Sequence, residues 1–447
     1  MTRQEHHTTA DHGTEPGWVR HAIWWHLYPL GFVDAFPEPP SGPAQPEEHR
    51  LLRVIGWLDH AAGLGASGIA LGPIFDSATH GYDTLDYLRI DPRLGTDDDF
   101  DQLVTAAHAR GLRIKLDGVF NHVAREHPRV QAALAAGPGS EEMRWFRPRV
   151  TDDGHVELDT FEGHEQLIAL NHDEPEVRAH VADVMRHWLD RGADAWRLDA
   201  AYRVPTDFWA AVLPEVRRTH PDVWFEAEVI HGDCAAFVEA STADTVTQYE
   251  LWKAIWSSIE NRNFFELDWA LRRHSEMLQD FVPATFVGNH DVTRIASQIS
   301  DQRHLPHAVA LLAVLGGTPS IYAGDELGYR AVKEDRPGGD DAVRPAFAPD
   351  GPGRLDAGSA EVLRLHQRLV GLRRRHPWLR EATSQAVAVR NEQYVITVGD
   401  GGQTLTLALN LSDAELGVPG GTVLDGDPRS RAGDGVVGPH GWAILEA

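Results

Sequence analysis

Four carboxylates in this chain each end a short apolar run, and one of them stands beside an arginine. Arg197 and Asp199 are two residues apart in a run apolar enough for a buried strand, so both side chains lie on one strand face. Asp117, Glu228 and Asp291 end similar runs. Burying such charges is costly unless they pair with each other or do chemistry. Acidic residues gathered at one end of a parallel sheet therefore indicate an active site.

Two of these carboxylates are placed as glycosidic bond hydrolysis requires. Asp199 and Glu228 end the fourth and fifth predicted strands, which makes them neighbours on the rim of the sheet. That reaction uses one carboxylate as nucleophile and a second as proton donor. Arg197 favours the ionised form of Asp199, and the apolar residues around Glu228 suit a donor. Glu226, two residues deeper on the same strand face, is the alternative donor, but the rim position favours Glu228.

Eight strand-like runs alternate with amphipathic helical patterns along the chain. The predicted strands cover residues 22–28, 68–72, 113–119, 194–199, 223–229, 244–249, 284–289 and 318–323. The predicted helix 175–190 has a proline in its first turn, and helix 97–110 follows the N-cap Thr96 with acidic residues in its first turn. This alternation predicts an α/β fold, a parallel (β/α)₈ TIM barrel, with an open doubly wound sheet as the alternative.

Three segments fall outside the barrel pattern. Residues 1–20 are polar and histidine-rich and predict a flexible arm ahead of a barrel over 21–380. Residues 123–168, after the third strand, predict a short inserted loop or subdomain at the C-terminal face of the barrel. Over 382–447, short alternating strands at 385–390, 394–398, 405–410 and 442–445 predict a C-terminal antiparallel β domain, interpreted as a β-sandwich.

The formal net charge of −26 excludes two classes of partner. Such a surface repels the phosphates of nucleic acids and anionic lipids, so neither nucleic acid nor a membrane is expected as a partner. The first ten residues contain no apolar signal-peptide core, and no window approaches the roughly 20 apolar residues of a membrane span. We therefore expect a cytoplasmic protein, and the sequence leaves homo-oligomer formation open.

Short motifs at the ends of the predicted strands carry a resemblance to a known family. In chain order they are His80-Gly-Tyr82-Asp, Asp117-Gly-Val-Phe-Asn121-His122, Trp-Arg197-Leu-Asp199, Ala-Glu228-Val and Asn-His290-Asp291. Each motif is short, but in this order they resemble the α-amylase family of glycoside hydrolases, in detail its neopullulanase- and amylase-type members. The resemblance covers nearly the whole chain from about residue 20.

The resemblance implies a role for each motif residue. Asp199 is implied as the nucleophile that forms a covalent glycosyl-enzyme, Glu228 as the acid/base, and Asp291 as the residue that stabilises the transition state. The implied substrate-binding set holds, stacks on or supports the sugar in the cleaved subsite and consists of Tyr82, Asp117, His122, Arg197 and His290.

Two departures from the family pattern narrow the predicted activity. The segment 201–203 lacks the Lys-His of calcium-dependent members, so although Asn121 remains we predict neither a metal nor a cofactor. Thr79 stands where exo-acting α-glucosidases carry Asp. We predict a retaining hydrolase that cleaves α-glucosidic, mainly α-1,4, bonds in malto-oligosaccharides or α-glucans. The alternative is an α-glucosidase, transglycosylase or isomerase that acts on maltose, sucrose or trehalose.

Overall fold

Eight parallel strands form the centre of the molecule. The computed structural model describes residues 15–35, 48–150, 156–428 and 430–446. The barrel strands are β1 (Trp24–Leu27), β2 (Gly68–Leu71), β3 (Arg113–Gly118), β4 (Ala195–Leu198), β5 (Trp224–Ala227), β6 (Thr245–Val246), β7 (Ala284–Phe286) and β8 (Thr318–Tyr322). Successive strands pair in parallel, and β8 pairs with β1. A parallel bridge from Thr247 to Ala284 joins β6 to β7, so the sheet closes and the predicted TIM barrel is confirmed.

Helices surround the barrel and cover its outer surface. The α-helices are Pro29–Phe32, Leu58–Leu64, Asp97–His108, Pro128–Ala136, Pro175–Asp190, Thr206–Arg217, Cys234–Ser241, Tyr249–Glu260, Phe264–Met277, Ile295–Gln298, Leu305–Val314 and Ala357–Arg375. The 3₁₀ helices are Gly17–His21, Arg50–Trp57, Glu142–Trp145, Ala201–Arg203, Gln302–His304, Asp325–Leu327, Asp341–Val343, Pro377–Arg380 and Ala432–Asp434. Among the described helices, none is long and apolar enough to cross a membrane.

The two helices whose bounds were predicted from the sequence are both present. Pro175–Asp190 has the predicted bounds, and its valine, methionine, tryptophan and leucine stripe is buried against the barrel. Asp97–His108 begins with a capping box, because Thr96 and Asp99 each bond the other's backbone N–H. This helix ends two residues before the predicted end, where the chain turns into β3.

Two insertions rise from the C-terminal end of the barrel. After β2, a hairpin of Phe75–Ser77 and Thr84–Ile90 carries Tyr82 in its turn. After β3, the segment predicted as an insertion contributes a three-stranded sheet of His122–Ala124, Thr160–Phe161 and His164–Ala169. A second ladder, Pro148–Val150 with Val156–Leu158, and the helix Pro128–Ala136 complete it. Both insertions therefore stand on the face where the carboxylates gather.

The C-terminal domain is one antiparallel sheet rather than two comparable sheets. Its strand order is Thr383–Val389, Gln393–Gly399, Thr404–Asn410, Trp442–Glu446 and Thr422–Gly426. Four strands match the prediction, whereas the half-exposed Thr422–Gly426 carries no apolar alternation and was missed. One sheet face joins the barrel core, and the other packs on the short ladder Leu416–Gly417 and Val436–Val437. The predicted β-sandwich thus has the barrel behind one face and only a two-stranded second layer on the other.

The part of the predicted arm that the structure describes is packed rather than flexible. Residues 1–14 lie outside the described residues, but Gly17–His21 forms a 3₁₀ helix beneath the barrel with Val19 fully buried. Trp24 and Trp224, at the starts of β1 and β5, stack with ring centroids 5.9 Å apart, and Trp18 packs edge-on against both. The apolar side chains at 18 and 19 explain why the segment docks, so the boundary predicted at residue 20 is too late.

A buried ion pair lies directly above this tryptophan cluster. Lys115 of β3 and Glu226 of β5 meet with Nζ 2.6 Å from Oε2, and both side chains are at least nine-tenths buried. The ammonium also lies over the rings of Trp24 and Trp224, at 4.7 and 5.4 Å from the centroids. Because each charge is the other's compensation in the barrel interior, neither can be removed alone without leaving an unpaired buried charge.

We expect Lys115→Met to lower the free energy of unfolding by about 3–5 kcal/mol, since it leaves the Glu226 charge buried and unpaired. The double variant K115M/E226L should recover most of that loss, because it removes both charges at once. Urea denaturation followed by tryptophan fluorescence measures both. The matched control is Lys253→Met, which breaks the solvent-exposed Lys253–Glu266 pair and should cost less than about 1 kcal/mol. Equal effects of K115M and K253M would contradict the interpretation.

Candidate active site

The barrel brings the predicted carboxylates together at the C-terminal ends of β3, β4, β5 and β7. Arg197 of β4 pairs in register with Asp117 of β3. Asp199 and Glu228 lie just beyond β4 and β5, and their N–H groups continue the parallel ladder to Gly118 O at 3.0 Å and Leu198 O at 2.9 Å. The backbone of three adjacent strands therefore sets the relative positions of these side chains.

A single buried guanidinium connects three of the carboxylates. Arg197 NH1 donates to both oxygens of Asp117 at 2.7 Å and to Asp199 Oδ1 at 3.1 Å. Its other terminal nitrogen, NH2, lies 2.8 Å from Glu228 Oε1. The positive charge of Arg197 is thus shared among three acids that are all nearly buried, and it fixes Asp199 and Glu228 relative to each other.

Asp199 has one oxygen bound and one oxygen available. Arg197 holds Oδ1, and no described residue donates a hydrogen bond to Oδ2. Burial raises the pKa of Asp199 well above its ordinary value, the charge of Glu228 raises it further, and Arg197 opposes both. Arg197 therefore favours the ionised form of Asp199, as expected from the sequence, but its guanidinium is divided among three carboxylates and does not cancel the effect of burial on the pKa.

Both oxygens of Glu228 are held by protein groups. The N–H of Ala200 donates to Oε2 at 2.9 Å, and the Tyr249 hydroxyl donates to Oε1 at 3.1 Å. Asn289 Nδ2 donates to that hydroxyl at 3.0 Å. Ala200 adopts left-handed backbone dihedrals (φ 44°), which are uncommon for a residue with a Cβ. This strained backbone turns the Ala200 N–H toward Glu228.

Asp291 is the carboxylate whose ionised form the site favours. Arg344 NH2 lies 2.7 Å from Oδ1, and His290 Nε2 lies 3.0 Å from Oδ2. Burial alone would raise the pKa of Asp291, but the charges of His290, Arg344 and Arg197 hold it well below its ordinary range. Arg344 also donates to the His290 carbonyl at 2.9 Å, so one side chain from the loop after β8 fixes both residues.

The rings of Tyr82 and His290 stack on each other beside the carboxylates. Their rings are nearly parallel (6°) with centroids 5.4 Å apart, and the Tyr82 hydroxyl contacts His290 Nε2. The same hydroxyl donates to Asp117 Oδ2 at 3.1 Å. Asp117 is only 1% exposed, so it affects the site by holding Arg197 and Tyr82 and not by contact with a bound molecule.

His122 supports the Tyr82 segment. Its Nε2 donates to the Tyr82 carbonyl at 2.9 Å, and its Nδ1 accepts from Asn121 Nδ2 at 3.0 Å. Burial lowers the pKa of His122 to about 4, so the ring is neutral at pH 7. One ring face lies against Phe161 of the insertion after β3. Because both nitrogens have protein partners, the binding of a sugar hydroxyl by His122 stays a prediction.

The comparison with known proteins agrees with this geometry. The family model described as alpha amylase, catalytic domain, matches residues 50–354. The chain belongs to the α-amylase family. A cyclomaltodextrinase from a Bacillus species is 32% identical over 341 residues, which are 70% of this chain and 60% of that protein. A maltogenic alpha-amylase from Bacillus acidopullulyticus is 30% identical over 436 residues, 92% of this chain and 72% of that protein.

A solved α-amylase-family structure matches the chain over its length. It is the cyclic alpha-maltosyl-(1→6)-maltose hydrolase from Arthrobacter globiformis, in complex with cyclic alpha-maltosyl-(1→6)-maltose. The match has a TM-score of 0.79 at 25% identity and covers 97% of this chain and 100% of that chain. By contrast, the chain spans only 60% of the length of the Bacillus cyclomaltodextrinase.

Three residues of this α-amylase-family site are not among the residues predicted above. Tyr249, from the segment after β6, holds Glu228, and Asn289, after β7, holds Tyr249. Arg344, from the loop after β8, binds Asp291. Asn289 carried a signal, since it belongs to the Asn-His-Asp motif. Tyr249 and Arg344 carried none, because their loops return to the site through tertiary packing.

Two acidic residues that follow β8 have structural partners. Asp325 and Glu326, after β8, are both buried. Asp325 pairs with Arg294 at 2.8 Å, and Glu326 accepts from His60 at 2.9 Å. Their charges are compensated beneath the rim, so they hold the β8 end rather than face the carboxylate cluster.

The region of the expected calcium ligand is rich in positive charge. A cavity of about 370 Å³ beside Asn121 is lined by three arginines and one carboxylate, which are Arg147, Arg149, Arg203 and Asp159. Arg203 comes from the segment that departs from the Lys-His pattern. Guanidinium groups around a cavity oppose a bound cation. The prediction that the chain needs no structural calcium is therefore retained as a prediction.

Mutation can decide whether Glu226 or Glu228 is the proton donor. Glu228→Gln should lower kcat by about 10²–10⁴-fold, because it removes the acid at the rim. Glu226→Gln should chiefly lower stability, because it leaves Lys115 unpaired. Steady-state kinetics and thermal denaturation of both variants provide the measurement. A folded E226Q as inactive as E228Q, or an E228Q of normal kcat, would show that the donor is misassigned.

Proposed function

We propose that this protein is a retaining glycoside hydrolase of α-glucosidic, mainly α-1,4, bonds in malto-oligosaccharides or α-glucans. The observation that carries the proposal is the cluster of Asp199, Glu228 and Asp291 around Arg197, with one free oxygen on Asp199. The relatives named cyclomaltodextrinase, maltogenic alpha-amylase and neopullulanase support the class of bond. Two relatives named intracellular maltogenic amylase support a cytoplasmic location.

In the proposed first step, Asp199 Oδ2 attacks the anomeric carbon while Glu228 protonates the leaving oxygen. Burial and the charge of Glu228 raise the pKa of Asp199 in the free site, and Arg197 opposes both. The reaction requires Asp199 in its ionised form and a proton on Glu228. Substrate binding and the positive charge that develops on the sugar both favour ionised Asp199. The products of this step are a glycosyl ester on Asp199 and a released sugar hydroxyl.

In the proposed second step, water attacks the anomeric carbon of the glycosyl ester and Glu228 accepts a proton from that water. The bond between the sugar and Asp199 breaks, which releases the sugar and restores the Asp199 carboxylate. The backbone N–H of Ala200 and the Tyr249 hydroxyl hold Glu228 in place through both steps. Asp291 is ionised because of Arg344 and His290, and it stabilises the oxocarbenium-like transition states and binds the sugar hydroxyls. The partly exposed ring of Tyr82, which is stacked on buried His290, provides an apolar surface beside the reacting sugar.

The substrate is proposed to be neutral and short. The net charge of −26 disfavours anionic glycans, whereas neutral glucans are unaffected. The Arthrobacter enzyme, whose whole chain is matched, was solved with a small cyclic maltosyl sugar. Thr79 does not present a carboxylate to the site, and its hydroxyl bonds Asp83 at 2.5 Å. These observations favour malto-oligosaccharides over removal of single terminal glucose units.

Product analysis tests the substrate class. We expect release of maltose and glucose from maltotriose and longer malto-oligosaccharides, with sucrose and trehalose unchanged. The panel consists of maltose, maltotriose, starch, pullulan, sucrose and trehalose, followed by chromatography. A disaccharide rearranged while maltotriose and starch stay intact would overturn the hydrolase assignment in favour of an isomerase or transglycosylase.

Asp199→Asn tests the nucleophile and should lower kcat by several orders of magnitude, because an amide cannot form the glycosyl ester. Proton NMR of the first products of the wild-type enzyme should show the α-anomer, as retention requires. Mass spectrometry of the enzyme with a slow fluorinated glycosyl donor should place the adduct on the peptide that contains Asp199. An initial β-anomer would exclude the covalent route, and an adduct elsewhere would exclude Asp199.

A further inference from the structure

A group of two histidines and one aspartate, separate from the carboxylate cluster, could hold a metal ion. His304 precedes the helix Leu305–Val314 of the barrel, and His440 precedes the last strand of the C-terminal domain. Asp301 begins the 3₁₀ turn that ends at His304. The ligand atoms of Asp301, His304 and His440 all lie within 4.8 Å of one another. The group therefore spans the contact between the two domains.

The two imidazoles face each other through nitrogen atoms. His304 Nε2 and His440 Nδ1 are 3.0 Å apart, and both residues are buried. Two imidazole nitrogens on one tetrahedral zinc ion, at Zn–N of about 2.0–2.1 Å, lie roughly 3.3 Å apart. The rings therefore need to separate by only a few tenths of an ångström to admit an ion. His307, packed edge-on against His304 with centroids 5.3 Å apart, limits other motions of that ring.

A carboxylate orients the second histidine from outside the pair. Asp413 Oδ1 accepts from His440 Nε2 at 2.8 Å. This bond places the proton of a neutral His440 on Nε2 and leaves the Nδ1 lone pair directed at His304. A carboxylate that accepts from the outer nitrogen of a metal-bound histidine is the recurring second layer of zinc sites. The backbone of His440 is left-handed (φ 55°), so the chain holds an uncommon conformation to present this ring.

The third ligand atom comes from a carboxylate that also pairs with an arginine. Asp301 Oδ2 lies 3.9 Å from His304 Nε2 and 2.6 Å from Arg303 NH2. Because the Arg303 side chain is 53% exposed, it can move into solvent when the carboxylate turns to an ion. Asp301 is itself partly exposed, which provides a path for an ion from solvent. Two neutral imidazoles and one carboxylate leave a fourth position for water, as a tetrahedral divalent ion requires.

We propose that Asp301, His304 and His440 form a zinc-class metal site that fastens the C-terminal domain to the barrel. The donor set of two imidazoles and one carboxylate suits Zn²⁺ better than Ca²⁺ or Mg²⁺, which take oxygen ligands. When the ion binds, the proton between the two facing nitrogens moves to Nδ1 of His304, so each imidazole stays neutral and keeps one proton. The site is separate from the catalytic carboxylates and does not depend on the proposed hydrolase function.

The test is Zn²⁺ binding by the full chain without an added tag, measured by isothermal titration calorimetry and by metal analysis after dialysis. We expect about one equivalent of Zn²⁺ at the site, with a rise in Tm of about 3 °C at a saturating concentration. Ca²⁺ should produce none of these changes.

Three variants locate the ion. His440→Asn keeps a residue that tolerates the left-handed backbone and should abolish this equivalent of zinc. Asp413→Asn changes an exposed side chain that does not bind the ion and should weaken affinity about 10–100-fold. His220→Gln removes an exposed histidine–aspartate pair elsewhere and is the matched control, expected to bind as wild type.

Two results would overturn the proposal. The first is a wild-type protein that binds no zinc and shows no change in Tm. The second is zinc binding of equal stoichiometry and affinity in H440N, which would assign the ion to other histidines, such as those near residue 6. If H440N fails to fold, D413N alone decides, and unchanged affinity in D413N overturns the proposal.

Discussion

The active site depends on one buried cation, Arg197, and on what it does for three acids at once. Three ionised carboxylates this close together repel one another, and the positive charge of the arginine between them offsets that repulsion. The guanidinium meets Asp117, Asp199 and Glu228 through its two terminal nitrogens. Asp117 in turn holds Tyr82, which stacks on His290 beside Asp291. The chain of contacts from Asp199 to Asp291 thus passes through Arg197.

A second layer of paired charges lies deeper in the barrel interior, below the carboxylates of the rim. Lys115 and Glu226 compensate each other beside the tryptophans of β1 and β5. The two layers show why an acidic residue on a barrel strand is not by itself catalytic. The rim layer has more acids than cations and one free carboxylate oxygen, whereas the lower layer is balanced. This imbalance at the rim supplies the pKa changes that acid/base chemistry uses.

The sequence predicts the barrel and its motif residues because both depend on local patterns. All eight strands and the helix Pro175–Asp190 follow from apolar runs and caps. The motif carboxylates follow because strand ends meet at one rim. Tyr249, Arg344 and the packing of Val19 could not be predicted, since each depends on where a distant segment returns. The raised pKa of Asp199 could not be predicted either, because the sequence does not show that Arg197 is shared among three acids.

The placement of Glu228 has a consequence for loop engineering. Its carboxylate is positioned through Tyr249, from the segment after β6, and Tyr249 is positioned by Asn289, from the segment after β7. Grafting either segment alone from a relative to change substrate preference would break this connection and displace the acid. The two segments therefore form a single exchangeable unit, and chimaeras should transfer them together. A change in either segment that is meant to alter substrate preference also affects the position of Glu228, because both segments act on it through the hydroxyl of Tyr249.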